Sequence, residues 1–388
     1  MSYKKLHLAK GKERALQRSH PWVFSGAFKN IPQEIAEGDL VEIHKAKGGL
    51  VATGFFHPGR IAVRVLKFGE ISDFEEFLRE RIKAAVNYRS NAGLFDKTDT
   101  NCFRMVFGEG DLLPGLVIDR YAKVAVIQIH LSAWLPYLQT ISGILQSFDF
   151  IEGVYSKPVA KFSDAEGAAG WLTAEVDEKV VLENGHQFKI DWEEGQKTGF
   201  FIDQRENRAL LGQLSKGKSV LNTFSYSGGF SIYALKNGAS KAVSVDISGS
   251  AVDLAVENAE LNQVADRHSG VAADVFEYLA QLGDQFDIIV LDPPAFSKSI
   301  RTTHNAVQAY KRLNRAAIQK IKSGGLIFTF SCSQHVGPQL FEDTVRAAAI
   351  GTHRHVRIMR HLSQPADHPV NLYHPEGEYL KGLVLQIN

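Results

Sequence analysis

Near the start of the chain, apolar and polar residues alternate over short runs such as DLVEIHKAKGGLVATGFF and RIAVRVLKF, and Gly and Pro punctuate them. That pattern predicts a small β-barrel over residues 1–73. A helical pattern follows at Phe74–Asn91. VIDRYAKVAVIQIH, a helix near 134–147, GVYSK and the Gly/Ala-rich run SDAEGAAGW, read as a loop, then describe a small α+β segment over 74–190. From about Gly195 onward, strand and helix patterns alternate to the C-terminus. Strands are predicted at 219–224, 241–246, 269–273, 286–292, 324–331, 354–361 and 380–387, with helices in the first five gaps. The fold class is α/β, with a doubly wound, mostly parallel seven-stranded sheet over 191–388.

In an open α/β sheet, functional groups collect beyond the carboxyl ends of the strands. Two strings stand there. Asp292-Pro293-Pro294-Ala295-Phe296 closes the apolar run FDIIVL, and Ser331-Cys332-Ser333 closes LIFTF. Both are expected to face one pocket that joins a carboxylate, a rigid turn and a thiol. A third feature is Asn222-Thr-Phe224-Ser-Tyr-Ser-Gly228-Gly229-Phe230, a turn with two glycines opening a helix. Glycine there would let backbone approach a ligand, and the helix N-terminus favours polar or anionic groups. The spacing is not GxGxxG, which argues for a mononucleotide-like ligand over a dinucleotide. Asp246 ends the second strand, where a carboxylate can accept ribose hydroxyls. Asp274 follows the third and suits either an adenine edge or a helix N-cap.

Composition narrows the classes. Two cysteines in 388 residues cannot build a disulfide framework or a four-thiolate metal site, which points to a reduced, cytoplasmic setting. The start, MSYKKLHLAKGKERAL, has no secretory apolar stretch. The most apolar long run, 116–138, carries Asp119, Arg120, Lys123 and His130, too many charges for a membrane span. Net charge is +1, yet residues 1–67 hold 12 Lys and Arg against 5 Asp and Glu. Seven basic residues and no acidic one lie between Ser297 and Lys322. Such local basic surfaces suit a phosphate backbone, and equally a solvated face. His353, His355 and His361 lack accompanying thiols or carboxylates and read as basic surface, so no metal site is expected.

Beyond these features, KGKERALQRSHPWVFSGAF, FGEGDLLPGLVIDRY at 107–121 and GQKTGFFIDQRENR at 195–208 stand beside NTFSYSGGF, VSVDIS, LDPPAFSKS and FSCS. Together they resemble class I S-adenosylmethionine-dependent methyltransferases, and more narrowly the bacterial large-subunit ribosomal RNA methyltransferases that carry an N-terminal PUA domain. The resemblance implies a PUA domain (1–73), a middle domain (74–190) and a Rossmann-like methyltransferase domain (191–388). It also implies formation of 5-methylcytosine in 23S ribosomal RNA, as free RNA or in a ribosomal particle. A homodimer is compatible with the sequence.

Carbon 5 of cytosine is a poor nucleophile until a thiolate adds to carbon 6, and covalent catalysis of this kind requires one accessible cysteine. Cys332 is the candidate, and Cys102 reads as structural. Asp292 would hold the cytosine N3 and N4 edge, Pro293 would fix the turn, Phe296 would stack on the extruded base, and Lys298 would meet substrate. Phe201, Gln204, Phe224, Gly228, Asp246, Asp274 and Asp292 are expected around the cofactor. Trp22 reads as barrel core. Two other readings stay open. Asp-Pro-Pro-x-Phe is close to the motif of amino methyltransferases, so a guanine-nitrogen methyltransferase without a covalent intermediate is one. A non-catalytic RNA-binding assembly factor is the other.

Overall fold

The computed structural model describes residues 3–163, 165, 167–297 and 300–388; Lys298 lies outside the described residues. The chain divides into two compact units. One comprises Met1–Lys179, Ile190–Phe200 and Ala366–Gly377, and the other Val180–Lys189, Phe201–Pro365 and Glu378–Asn388.

The first unit holds two sheets. Strands β1 (Lys4–His7), β2 (Trp22–Phe24), β3 (Leu40–His44), β4 (Leu50–Phe56) and β5 (Ile61–Lys67), with the short helix α1 (Arg14–Gln17), form a sheet ordered β1-β3-β4-β5-β2. Their alternation puts Leu6, Val41, Ile43, Val63 and Val65 into one core. Helix α2 (Phe74–Asn91) starts where Asp73 accepts the Glu76 N–H at 3.1 Å, a cap worth about 1 kcal/mol. Strands β6 (Cys102–Phe107), β7 (Leu116–Tyr121), β8 (Val124–Ile129), β9 (Gly153–Ser156) and β10 (Gly170–Trp171) form the second sheet, and α3 (Leu138–Leu145) packs with α2 over it. The run read as a loop thus ends in a short strand, Gly170 pairing with Ser156. Cys102 is fully buried here.

The charges buried in this unit are paired, as burial demands. Arg104 holds Asp119 through two bonds of 2.8 Å, and the Thr198 hydroxyl donates to the same carboxylate at 2.5 Å. Arg89 reaches Asp111 at 2.6 Å and the Asp367 carbonyl at 2.7 Å. Trp22 is half-buried and outside the barrel core, contrary to expectation: its indole N–H donates to Glu109 at 2.9 Å and the Arg64 guanidinium lies over its ring.

The second unit opens with the hairpin β11 (Val180–Glu183) and β12 (His186–Lys189), then α4 (Arg205–Gln213). Next come β13 (Ser219–Thr223), α5 (Gly229–Lys236), β14 (Lys241–Asp246), α6 (Gly249–Leu261), β15 (His268–Ala272), α7 (Val275–Gln281) and β16 (Ile288–Leu291). The chain closes with α8 (Thr303–Lys320), β17 (Gly325–Ser331), α9 (Pro338–Ala349), β18 (Val356–Ser363) and β19 (Lys381–Ile387). The seven strands from β13 on, with helices in the first five gaps, build one sheet ordered β15-β14-β13-β16-β17-β19-β18. The central strands β13 and β16 are buried throughout, which is why they read as continuous apolar runs and not as alternation. Strand β18 is an exposed edge carrying Arg357, Arg360 and His361. No described helix is long and apolar enough to cross a membrane.

Candidate active site

Parallel pairing of β13 with β14 and β16, β14 with β15, and β16 with β17 brings five carboxyl ends to one sheet edge. The loop from Thr223 to Gly229 lies there in an unusual backbone. Phe224 (φ 54°), Tyr226 (φ 43°) and Gly228 (φ 74°) are all left-handed, and for the two aromatic residues that conformation stores strain. Asp246 holds the loop. Its Oδ2 accepts the Tyr226 N–H at 3.0 Å and its Oδ1 the Ser248 N–H at 3.0 Å. Gly228 serves packing more than ligand approach, because a Cβ there would stand 2.8 Å from the Ala255 Cβ of α6.

The GQKTGFFIDQRENR segment enters this unit at Phe201, whose half-buried ring stands edge-on to Tyr226 at 5.2 Å. Gln204 is buried, and its Oε1 accepts from Asn207 at 2.6 Å. Asp274 caps α7, one carboxylate oxygen accepting the Phe276 and Glu277 N–H groups at 2.8 and 3.1 Å. The observed role is therefore the helix cap. Beneath the loop, Arg208 donates two hydrogen bonds of 2.9 and 2.7 Å to the buried Glu183 carboxylate, Tyr233 donates to Glu183, and Arg208 also donates to the Phe201 carbonyl.

Asp292 follows β16 and is half-buried. Pro293 is buried and Pro294 exposed, and the Pro293 carbonyl faces the other string. Cys332 Sγ lies 3.9 Å from that carbonyl oxygen. Strand alternation buries Ser331 and Ser333 completely and leaves Cys332 half-buried, so the thiol is turned away from the core. Phe296 is half-buried with one side against Tyr310, ring centres 4.8 Å apart. The Tyr310 hydroxyl meets Ser333 Oγ at 3.1 Å, and burial raises its pKa.

Two residues at this edge were not anticipated. Strand β19 runs antiparallel to β17, so its first residue, Lys381, pairs with Ser331 beside the thiol. Lys381 is 6% exposed and donates to the carbonyls of Ser333 at 2.6 Å and Tyr379 at 2.9 Å. Burial pushes its ammonium down to about 8, against the opposing pull of Cys332 and Glu378. Tyr379 in turn donates its hydroxyl to Asp203 at 2.5 Å. In the sequence Lys381 stands only as a lysine at the start of a mostly apolar final strand, which by itself points to no site.

A nucleoside-bearing ligand fits the β13 and β14 ends. The buried Ser225 Oγ has no partner among the described residues, and the Asp246 carboxylate keeps acceptor capacity beyond its two backbone bonds. Comparison with known proteins agrees. Residues 159–372 match the family described as S-adenosylmethionine-dependent methyltransferase, and residues 6–68 match a PUA-like domain. A solved methyltransferase complexed with SAH (SMU.776) superposes with a TM-score of 0.86 at 22% identity, covering 99% of this chain and 100% of that one. The chain is thus an S-adenosylmethionine-dependent methyltransferase with a PUA-like domain at its start. Proteins named ribosomal RNA large subunit methyltransferase I match it end to end. The one from Aeromonas hydrophila is 39% identical (98% of each chain), and that from Pseudoalteromonas translucida 36% (98% of this chain, 99% of the relative). The chain belongs to that family.

Proposed function

We propose that the enzyme methylates carbon 5 of a cytosine in large-subunit ribosomal RNA through a covalent adduct on Cys332. The observation that carries this reading is the half-buried Cys332 thiol, set against the Pro293 carbonyl of the Asp292 turn. The large-subunit RNA follows from the relatives' name, and the basic PUA-like domain supplies a surface for its backbone. A ribosomal particle as the substrate form and a homodimer as the working unit belong to the same proposal, as does a cytoplasmic location.

Bound S-adenosylmethionine supplies an electrophilic methyl group. The protein does the rest. Asp246 and Ser225 would hold the nucleoside end of the cofactor, with Phe224 and Phe201 flanking it. Asp292 accepts from the cytosine edge, and the exposed side of Phe296 supports the unstacked base. The Cys332 thiolate adds to carbon 6, forming an S–C bond and moving the electron pair onto carbon 5. Carbon 5 takes the methyl group, the S–CH3 bond breaking to leave S-adenosylhomocysteine; a base then takes the carbon 5 proton, the C–H electron pair re-forms the C5=C6 bond, and the S–C bond breaks to release the thiolate.

Cys332→Ala should abolish 5-methylcytosine, and with it the denaturant-stable complex formed on RNA containing 5-fluorocytosine, while cofactor binding by calorimetry is retained. A Cys332→Ala enzyme making 5-methylcytosine at the wild-type rate sinks the proposal. Appearance of a methylated guanine in the same nucleoside analysis would favour the amino-methyltransferase chemistry of the Asp-Pro-Pro motif.

A further inference from the structure

Lys381 breaks a rule of protein interiors. Lysine is almost never fully buried unless paired, and a buried ammonium is costly without a counter-ion. Yet Lys381 is 6% exposed, and among the described residues no carboxylate pairs with it. Its two hydrogen bonds go to neutral main-chain carbonyls, which use two of its three N–H donors. One of those carbonyls belongs to Ser333, the residue after Cys332, and register places Lys381 opposite Ser331, the residue before it. The lysine is therefore tied to the residues on both sides of Cys332.

We propose that Lys381 is a positioning residue that acts through Cys332: a fixed cation that makes the thiolate the resting form of the nucleophile and has that thiolate as its counter-ion. The proposal rests on the covalent reading above. A thiol reacts only as thiolate, and an adjacent lysine is one of the devices that lower its pKa from about 8.5. The electrostatics run the same way, since Cys332 is the leading charge opposing the effect of burial on Lys381. The other titratable groups around the pair are Glu378 just before β19, Tyr310 on α8 and Asp292 after β16. Tyr310 is held as a neutral phenol by burial, and the Tyr379 hydroxyl is committed to Asp203. In this role Lys381 acts as a cation and not as a proton donor. The thiol proton leaves to water before substrate arrives, and elimination returns the same thiolate, so no proton passes between the two side chains.

The test needs neither RNA nor turnover. The pH dependence of iodoacetamide alkylation at Cys332 is followed by peptide mass spectrometry on the folded full-length chain, with buried Cys102 as the unreactive internal control. Wild-type enzyme should show a midpoint below about 8.5. Lys381→Met should raise it by about one unit or more, a roughly tenfold loss of thiolate near neutrality, and Lys381→Arg should keep it low. A wild-type midpoint at or above the ordinary value overturns the proposal without any variant, and so does an unchanged midpoint in a Lys381→Met enzyme that still binds cofactor. Either outcome leaves the covalent reading standing, because that reading falls only with Cys332→Ala activity.

Discussion

Asp246 joins two turns with one carboxylate, its oxygens each 3.0 Å from a backbone nitrogen, Tyr226 on one side and Ser248 on the other. It shapes the left-handed Tyr226 loop and offers its remaining lone pairs to a ribose. Asp246→Ala should therefore lose cofactor affinity by more than a single hydroxyl hydrogen bond explains. At least tenfold is expected, since losing a hydrogen bond to a charged group costs about 1.5–3 kcal/mol. Titration calorimetry with S-adenosylhomocysteine measures it, and unchanged affinity would remove Asp246 from this role.

Arg208→Met should destabilise the protein strongly. It leaves Glu183 buried and uncompensated beneath the cofactor loop and removes a donor from the Phe201 carbonyl. Breaking such a pair costs about 3–5 kcal/mol, readable as a lower denaturant midpoint. A change under about 1 kcal/mol would show that the pair is dispensable.

His268 makes stability fall in acid. Burial lowers its pKa from 6.5 to about 4, and Ser244 Oγ lies 2.9 Å from its Nε2. Between those two values the unfolded chain binds the proton and the folded one does not. Stability from this group is thus complete above about pH 6.5 and is lost as pH falls toward 4. His268→Asn should flatten the thermal midpoint over that window, and an unchanged slope would place the acid sensitivity elsewhere.

Lys10 and Lys12 are exposed near the start of the PUA-like domain. If both meet RNA phosphates, Lys10→Gln with Lys12→Gln should lower the slope of log affinity against log salt by about 0.7 for each phosphate left without its lysine. Filter binding at several salt concentrations reads the slope. An equal slope in variant and wild type would mean that these lysines only face solvent.

The carboxyl edge was legible because each apolar run ends on the residue that matters: Thr223, Asp246, Leu291 before Asp292, and Ser331 before Cys332 all fall at or next to the observed strand ends. Asp274 was ambiguous for a sound reason, since a carboxylate between a strand and a helix suits a ligand or a cap equally, and the cap is what the backbone shows. Lys381 could not be found from pattern. Period and hydropathy are the same whichever way a strand runs, and only the antiparallel insertion of β19 between β17 and β18 sets its first residue opposite Ser331, next to Cys332 in the chain. Gly228 was singled out for a ligand, and the constraint the backbone shows there is the close approach of Ala255.

The stretch Ala366–Gly377 counts with the first unit, although the strands before and after it, β18 and β19, belong to the second. Arg104, placed early in the chain, gives its backbone N–H to Asp367 at 3.0 Å. In the order of synthesis that acceptor follows Arg104 by 263 residues. The first unit therefore reaches its native bonding only after β11 to β18 of the second have been made, and a stop before residue 367 leaves behind a fragment lacking parts of its own interior.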